Sequence, residues 1–143
     1  MRKIFFYIAL FLATTVMADG IKWAKDFDSG IAQAKAEKKP VLFVFSRHTC
    51  KYCKVLEKTT FSDTRVIKGL NRDFIPIIAY SDENDAMPKE LWRPGTPTIW
   101  FLYSNGEPMY QPLMGAVGPE DFLRALSIVK QEFSKTKTKR AKK

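Results

Sequence analysis

Val41-Leu42-Phe43-Val44-Phe45-Ser46-Arg47-His48-Thr49-Cys50-Lys51-Tyr52-Cys53-Lys54 is the stretch around which the rest of the chain is arranged. Its first half is an unbroken apolar run of β-branched and aromatic residues, the pattern of a central strand covered on both faces. After Cys53, the apolar residues Val55, Leu56 and Phe61 interleave with Lys54, Glu57 and Lys58 in helical fashion. The order strand, Cys-x-x-Cys, helix places Cys50 at or just before a helix start. Unpaired N–H groups and the positive end of the macrodipole favour an anion there. A thiolate is such an anion, so the position lowers the thiol pKa and raises the reactive fraction. Arg47, Lys51 and Lys54 push the same way, and His48 either tunes Cys50 or sits solvated in the loop. Cys53 lies about one helical turn on, near enough to close a small disulfide ring with Cys50. The stretch reads as a redox site, with Tyr52 on the rim that a substrate would meet.

The chain has 143 residues, enough for one domain with a real core. Its start reads as an address. Arg2 and Lys3 precede an apolar run from Ile4 to Ala13, and Val16-Met17-Ala18 offers small residues where a signal peptidase reads. Residues 1–18 are therefore expected to be a cleaved leader, an uncleaved membrane anchor being the alternative. Export changes the reading of Cys50 and Cys53, the only cysteines in the chain. The loop they would close is very small, so bracing a fold is a poor use for them and chemistry a better one.

The formal charge of +9 is unevenly spread. Lys135, Lys137, Lys139, Arg140, Lys142 and Lys143 crowd the terminal stretch, whereas the body from Asp19 to Phe133 holds sixteen basic residues against fifteen acidic ones. Residues 19–133 are thus expected to be a near-neutral domain, and residues 134–143 a basic, disordered tail. That tail could touch anionic lipid head groups weakly. Nucleic acid is not an expected partner of an exported protein.

Around the cysteine stretch, Asp28 or Ser29 is expected to cap a helix running to about Lys39, where Pro40 stops it. Ser62-Asp63 opens a helical piece with Val66, Ile67 and Leu70 on its buried side. Phe74 to Tyr80 reads as a strand, although Pro76 argues against full ladder pairing. A short turn near Pro88 to Trp92 leads to Arg93-Pro94-Gly95-Thr96-Pro97-Thr98, a place where a cis X–Pro bond is readily kept. The strand Ile99 to Tyr103 comes next, then a Ser104-Asn105-Gly106 hairpin turn and a strand within Glu107 to Met114. Pro119 begins the last helix, whose stripe of Phe122, Leu126, Val129 and Phe133 reads as core packing. Trp23, Trp92 and Trp100 are also assigned to packing.

Strand, Cys-x-x-Cys and helix, followed by Gly95-Thr96-Pro97, a hairpin and a terminal helix, resemble the thioredoxin fold from about Trp23 to Phe133. The resemblance implies an α/β domain with a mixed central sheet flanked by helices. Thr49-Cys50-Lys51-Tyr52-Cys53 is similar to the catalytic domains of periplasmic disulfide isomerases. The layout also resembles small periplasmic thioredoxin-like proteins, including the domain that takes electrons from a membrane thiol transporter. Membership of that group implies a periplasmic, monomeric thiol:disulfide oxidoreductase that acts on protein thiols and disulfides. Its electron donor would be a membrane thiol-transfer protein. It would need no cofactor beyond its own redox-active disulfide and no resident metal. The family assigns Cys50 as attacking thiol, Cys53 as resolving thiol, Pro97 as the cis-proline beside the sulfurs, and Thr96 as a backbone partner for extended substrate.

Three departures stand out. Thr49 and Lys51-Tyr52 replace the tryptophan and Gly-Pro of cytosolic thioredoxins. Val44 stands where they keep a buried aspartate. Asp19 to Lys39 is too short to be the dimerisation domain that isomerases carry. Positive charge near Cys50 predicts a couple less reducing than thioredoxin, which lies at about −270 mV. Two other readings remain open on the residues alone. A zinc site wants four ligands, and Cys50, Cys53 and His48 make three at most; a two-thiolate copper(I) carrier is chemically allowed, with Met87, Met109 or Met114 as possible helpers. A non-catalytic binding module is the other.

Overall fold

The computed structural model describes residues 20–141, so the expected leader over residues 1–18 lies outside the described residues. The first regular element is α1, Phe27–Glu37. Its start is set by Asp26, not by Asp28 or Ser29. The Ser29 N–H donates to the Asp26 carboxylate at 2.8 Å and the Asp26 N–H donates to the Ser29 hydroxyl at 3.2 Å. This reciprocal pairing satisfies two end donors at once and places the cap earlier than composition suggests. Lys38 closes the helix in the left-handed region, φ 54°. Pro40 then hands the chain to β1, Val41–Ser46, every residue of which is buried.

β1 is central. The sheet order is β2-β1-β3-β4. β2 (Ile75–Tyr80) runs parallel to β1, β3 (Thr98–Leu102) antiparallel to it, and β4 (Leu113–Met114) antiparallel to β3. Helices α2 (Lys51–Lys58), α3 (Thr64–Asp73) and α4 (Pro119–Ala141) cover one face and α1 the other. This is the mixed sheet flanked by helices expected from the resemblance. Leu42 and Val44 join Ile99, Phe101, Leu56, Leu70 and Phe122 on the three-helix side. Val41, Phe43 and Phe45 join Trp100, Leu102 and Ala34 on the other. With both faces covered, β1 has no solvent side on which to place a polar residue.

Pro76 is compatible with complete pairing. β2 is an edge strand, and Pro76 sits in register with Leu42. Its carbonyl points outward and accepts from the Ala24 N–H at 2.8 Å, so the missing proline N–H falls on the side where β1 makes no demand. The strand expected within Glu107 to Met114 is mostly absent. Only Leu113 and Met114 pair with β3, with an isolated bridge between Leu102 and Pro108. Pro108 and Pro112 remove two ladder donors from that stretch, which explains the loss.

α4 buries its apolar stripe as expected: Phe122, Leu126, Val129 and Phe133 are all in the core. The Phe122 ring lies 5.7 Å from Phe61 and 6.1 Å from Phe101. The disordered tail expected from Ser134 onward is instead helix through Ala141. The hydroxyls of Ser134, Thr136 and Thr138 each donate to the carbonyl four residues back, and Lys135 pairs with Glu132 at i, i+3, so the polar side chains past the last core residue find partners within the helix itself. No helix among the described residues is long and apolar enough to cross a membrane.

Candidate active site

β1 stops at Ser46 and α2 starts at Lys51, so four residues must turn the chain back over the sheet. The Cys50 N–H donates to the Arg47 carbonyl at 3.2 Å, closing that turn. Cys50 is the N-cap of α2, a place usually held by an oxygen-bearing side chain. Its Sγ accepts from the Cys53 N–H at 3.1 Å. No acidic residue lies in the first turn of α2, so nothing there offsets the positive helix end. A thiolate at Cys50 therefore finds an oriented donor and a favourable field already in place.

Cys50 and Cys53 are joined as a disulfide with Cα atoms 5.2 Å apart. They are unequal in access. Cys50 is half-buried, whereas Cys53 is only 1% exposed. An incoming sulfur can reach Cys50 first, and Cys53 stands behind it.

The Thr96–Pro97 peptide bond is cis, and the Thr96 carbonyl oxygen lies 3.4 Å from Cys50 Sγ. Three features fix this loop. Gly95 takes φ 103°, which a side chain would resist. The Thr98 hydroxyl donates to the Gly95 carbonyl at 2.8 Å. The Gly115 N–H donates to the Pro97 carbonyl at 3.0 Å. Pro97 itself is buried, and Thr96 is half-buried beside the sulfurs.

Of the large apolar side chains, Tyr52 between the two cysteines is 60% and Trp92 55% exposed, with Val55 and Met114 also in the open. Trp92 thus departs from its expected packing role. Trp100 does pack, with its indole N–H donating to the Leu91 carbonyl at 2.8 Å, and Trp23 is half-buried against Phe61. Arg47, Lys51 and Lys54 are exposed near Cys50. Val44, which stands where cytosolic thioredoxins keep an aspartate, lies in fully apolar core.

His48 is neither simply solvated nor committed to Cys50. Its Nε2 meets the Glu83 carboxylate at 2.5 Å, its ring stacks on Tyr80 with centroids 3.9 Å apart, and its N–H donates to Asp82 at 2.9 Å. The Tyr80 N–H donates to Asp85, and the Tyr80 hydroxyl donates to Glu57 at 3.4 Å. Burial, with Glu57 next in weight, pushes the Tyr80 phenol up to about 12. These contacts lace the active-site loop to the loop after β2. The sequence shows only a polar stretch at Ser81 to Asp85, because partners more than thirty residues apart leave no local pattern. Among the described residues, no three or more His, Cys, Asp or Glu side chains gather closely enough to hold a metal ion.

A family model described as a thioredoxin-like domain matches residues 27–130. The thiol:disulfide interchange protein DsbD of Salmonella typhimurium is 34% identical over 90 residues, covering 61% of this chain and 16% of that protein. The chain thus spans about a sixth of the length of that relative. Anterior gradient protein 2-B of Xenopus laevis is 28% identical over 129 residues, covering 80% of this chain and 76% of that one. Among solved structures, a thioredoxin from Thermus thermophilus superposes with a TM-score of 0.65 at 24% identity, covering 78% of this chain and 88% of its own.

Proposed function

The chain belongs to the thioredoxin-like family, and from that premise we propose that it is an exported thiol:disulfide oxidoreductase of reductase or isomerase type acting on protein substrates. One observation carries the reading: Cys50 caps a helix, accepts the Cys53 N–H, and lies against the Thr96 carbonyl at the half-open mouth of the pair.

In the reduced protein, the Cys50 thiolate attacks one sulfur of a substrate disulfide. A Cys50–substrate bond forms as the substrate S–S bond breaks, and the second substrate sulfur leaves as thiolate. Cys53 then loses its proton and attacks Cys50 Sγ, releasing the first substrate sulfur. Two electrons have passed to the substrate, and the Cys50–Cys53 bond of the structure is restored. Val44 offers no proton acceptor, so the Cys53 proton passes to water or to another group. Tyr52 and Thr96 are the substrate-facing contacts, with Pro97 holding the loop. Lys51 and Lys54 stabilise the thiolate, and His48, its ring engaged by Glu83, contributes least.

The likeness to an interchange protein supports protein thiols as partners and a membrane thiol-transfer protein as electron donor. A periplasmic address fits that likeness, and the pattern of Arg2-Lys3, the apolar run Ile4 to Ala13 and Val16-Met17-Ala18 supports a cleaved leader over residues 1–18 as the route to it. No cofactor beyond the disulfide is required. The test is a Cys53→Ala variant, which should accumulate client proteins as mixed disulfides on Cys50 that a reductant releases. A variant that traps nothing in the oxidising compartment overturns the reading.

A further inference from the structure

α2 carries along its outer side a line of charge. Lys51, Lys54 and Lys58 fall at i, i+3 and i+7, one after another along the helix. At the usual rise the line is about 10 Å long. All three are exposed, and so is Arg47 in the turn just before Cys50. None of the four forms a salt bridge among the described residues.

The acids close by in the sequence are already engaged. Glu57, on the flank of the line, accepts the Tyr80 hydroxyl at 3.4 Å. Asp63, beyond the end of the helix, is held by Arg65 at 2.8 Å. Asp82, Glu83 and Asp85 answer His48 and Tyr80. At the cysteine end the carboxylates are matched, and the lysines of α2 are not.

A second observation lies beside the line. Tyr52 and Val55, again at i, i+3, are 60% and 40% exposed. Cys53 and Leu56, next to them on the helix, are buried. An apolar strip thus borders the lysines on the side that turns towards the core. The line itself starts at the residue after Cys50, the cap of the helix. A molecule whose disulfide reaches Cys50 therefore meets these side chains first.

We propose that this face of α2 docks an acidic polypeptide, a disulfide-bearing protein whose reacting cysteines are flanked by Asp or Glu. Its carboxylates would lie on Lys51, Lys54 and Lys58 and its apolar side chains on Tyr52 and Val55. The proposal rests on the oxidoreductase reading and names the kind of protein that reading acts on. Unanswered cations select an anionic partner. The apolar strip and the adjoining sulfur select a protein over a nucleic acid or a lipid headgroup. Positive charge then serves twice, because the field that favours the Cys50 thiolate also steers an acidic chain towards it.

Reduced protein is mixed with three cyclic peptide disulfides of one sequence, flanked by three Asp, three Asn or three Lys, and the second-order rates of reduction are compared. A variant's thiol pKa is common to all peptides, and a peptide's own reactivity is common to all variants. The change in the acidic-to-neutral rate ratio on mutation therefore reads docking alone. Each exposed pair is worth roughly two- to threefold, so Lys54→Gln with Lys58→Gln should lower the ratio about fivefold. Lys54→Glu with Lys58→Glu should turn the preference towards the Lys peptide. Lys35→Glu with Lys38→Glu, the same change of charge on α1, should leave the ratio at the parent value. High salt should erase the difference between parent and variants, and circular dichroism checks that each variant folds. Unchanged ratios in the Lys54 and Lys58 variants, or an equal shift in the α1 variant, overturn the proposal. So does activity that anionic vesicles or an oligonucleotide block and an acidic peptide without cysteine does not. Parent protein inert to all three peptides, with no trapping by Cys53→Ala, removes the redox reading and this one with it. Exchange that proceeds with ratios indifferent to Lys54 and Lys58 removes this one alone.

Discussion

The two ends of one sheet use charge in opposite ways. At the cysteine end, Asp82, Glu83 and Asp85 are taken up by His48 and Tyr80, and the result is a loop held in place. At the far end, Lys35, Lys38 and Lys137 point from two helices over one groove without acidic partners among the described residues. Side chains that answer one another set geometry. Side chains of one sign gathered at one end set a field, which reaches about a Debye length, roughly 8 Å at physiological ionic strength. The cysteine end needs geometry because sulfur exchange requires two sulfurs and a peptide edge in line.

The largest effect that could break this division comes from Cys50→Ser. Insulin reduction should fall on the order of a thousandfold or more, as when a nucleophile is removed from a catalytic unit, while the far-UV circular dichroism stays at the parent level. If the dichroism changed as well, the loss would report a disturbed fold and not a missing thiolate.

Phe122→Ala comes next. That ring joins α4 to Phe61 and Phe101, on the wall both ends share. Its loss should cost about 3–5 kcal/mol, measured as a lower urea midpoint, and insulin reduction should fail at the new midpoint. A smaller cost is expected at Gly30, in α1. A Cβ there would lie 2.4 Å from Ile77 Cδ1, inside contact distance. Gly30→Ala should therefore destabilise by about 1–3 kcal/mol through overpacking, despite the better helix propensity of alanine. A neutral or stabilising result would show that Ile77 has room to turn.

Gly30 also marks how far the sequence can be read. The strand of Val41 to Phe45, the cap by Cys50 and the stripe of α4 were legible because each is a local pattern with one physical cause. The need for glycine at residue 30 was not, because it arises from a side chain 47 residues away on β2. The lacing of His48 to Glu83 was hidden for the same reason. The helical course of residues 134–141 was obscured by their lysines, because a run of like charge reads as a solvated tail whatever its backbone does. Trp92 was misjudged because aromatic residues are usually buried, whereas this one is 55% exposed. Such departures at the cysteine end are where local rules give way to a site.

The smallest effect distinguishes lacing from field at the cysteine end. Tyr80 ionises near 10 when unconstrained and at about 12 in the fold, raised first by burial and then by Glu57, with Glu83 and Asp82 adding to it. The fold thus holds the phenol proton more tightly than the unfolded chain does. Its contribution to stability is complete below pH 10 and is lost as pH rises through 12. Solvent reaches part of the ring, so the size of that loss is modest. Tyr80→Phe keeps the stacking face for His48 and deletes the proton. At neutral pH its urea midpoint should differ little from the parent's, because only the hydroxyl bond to Glu57 goes. Above pH 10 the parent should lose stability faster than the variant, and the parent's tyrosinate absorbance should show one late-titrating phenol that the variant lacks. Parallel stability curves for the two proteins across that range would mean that Tyr80 titrates as an ordinary exposed phenol, and that the lacing at this end opens freely in solution.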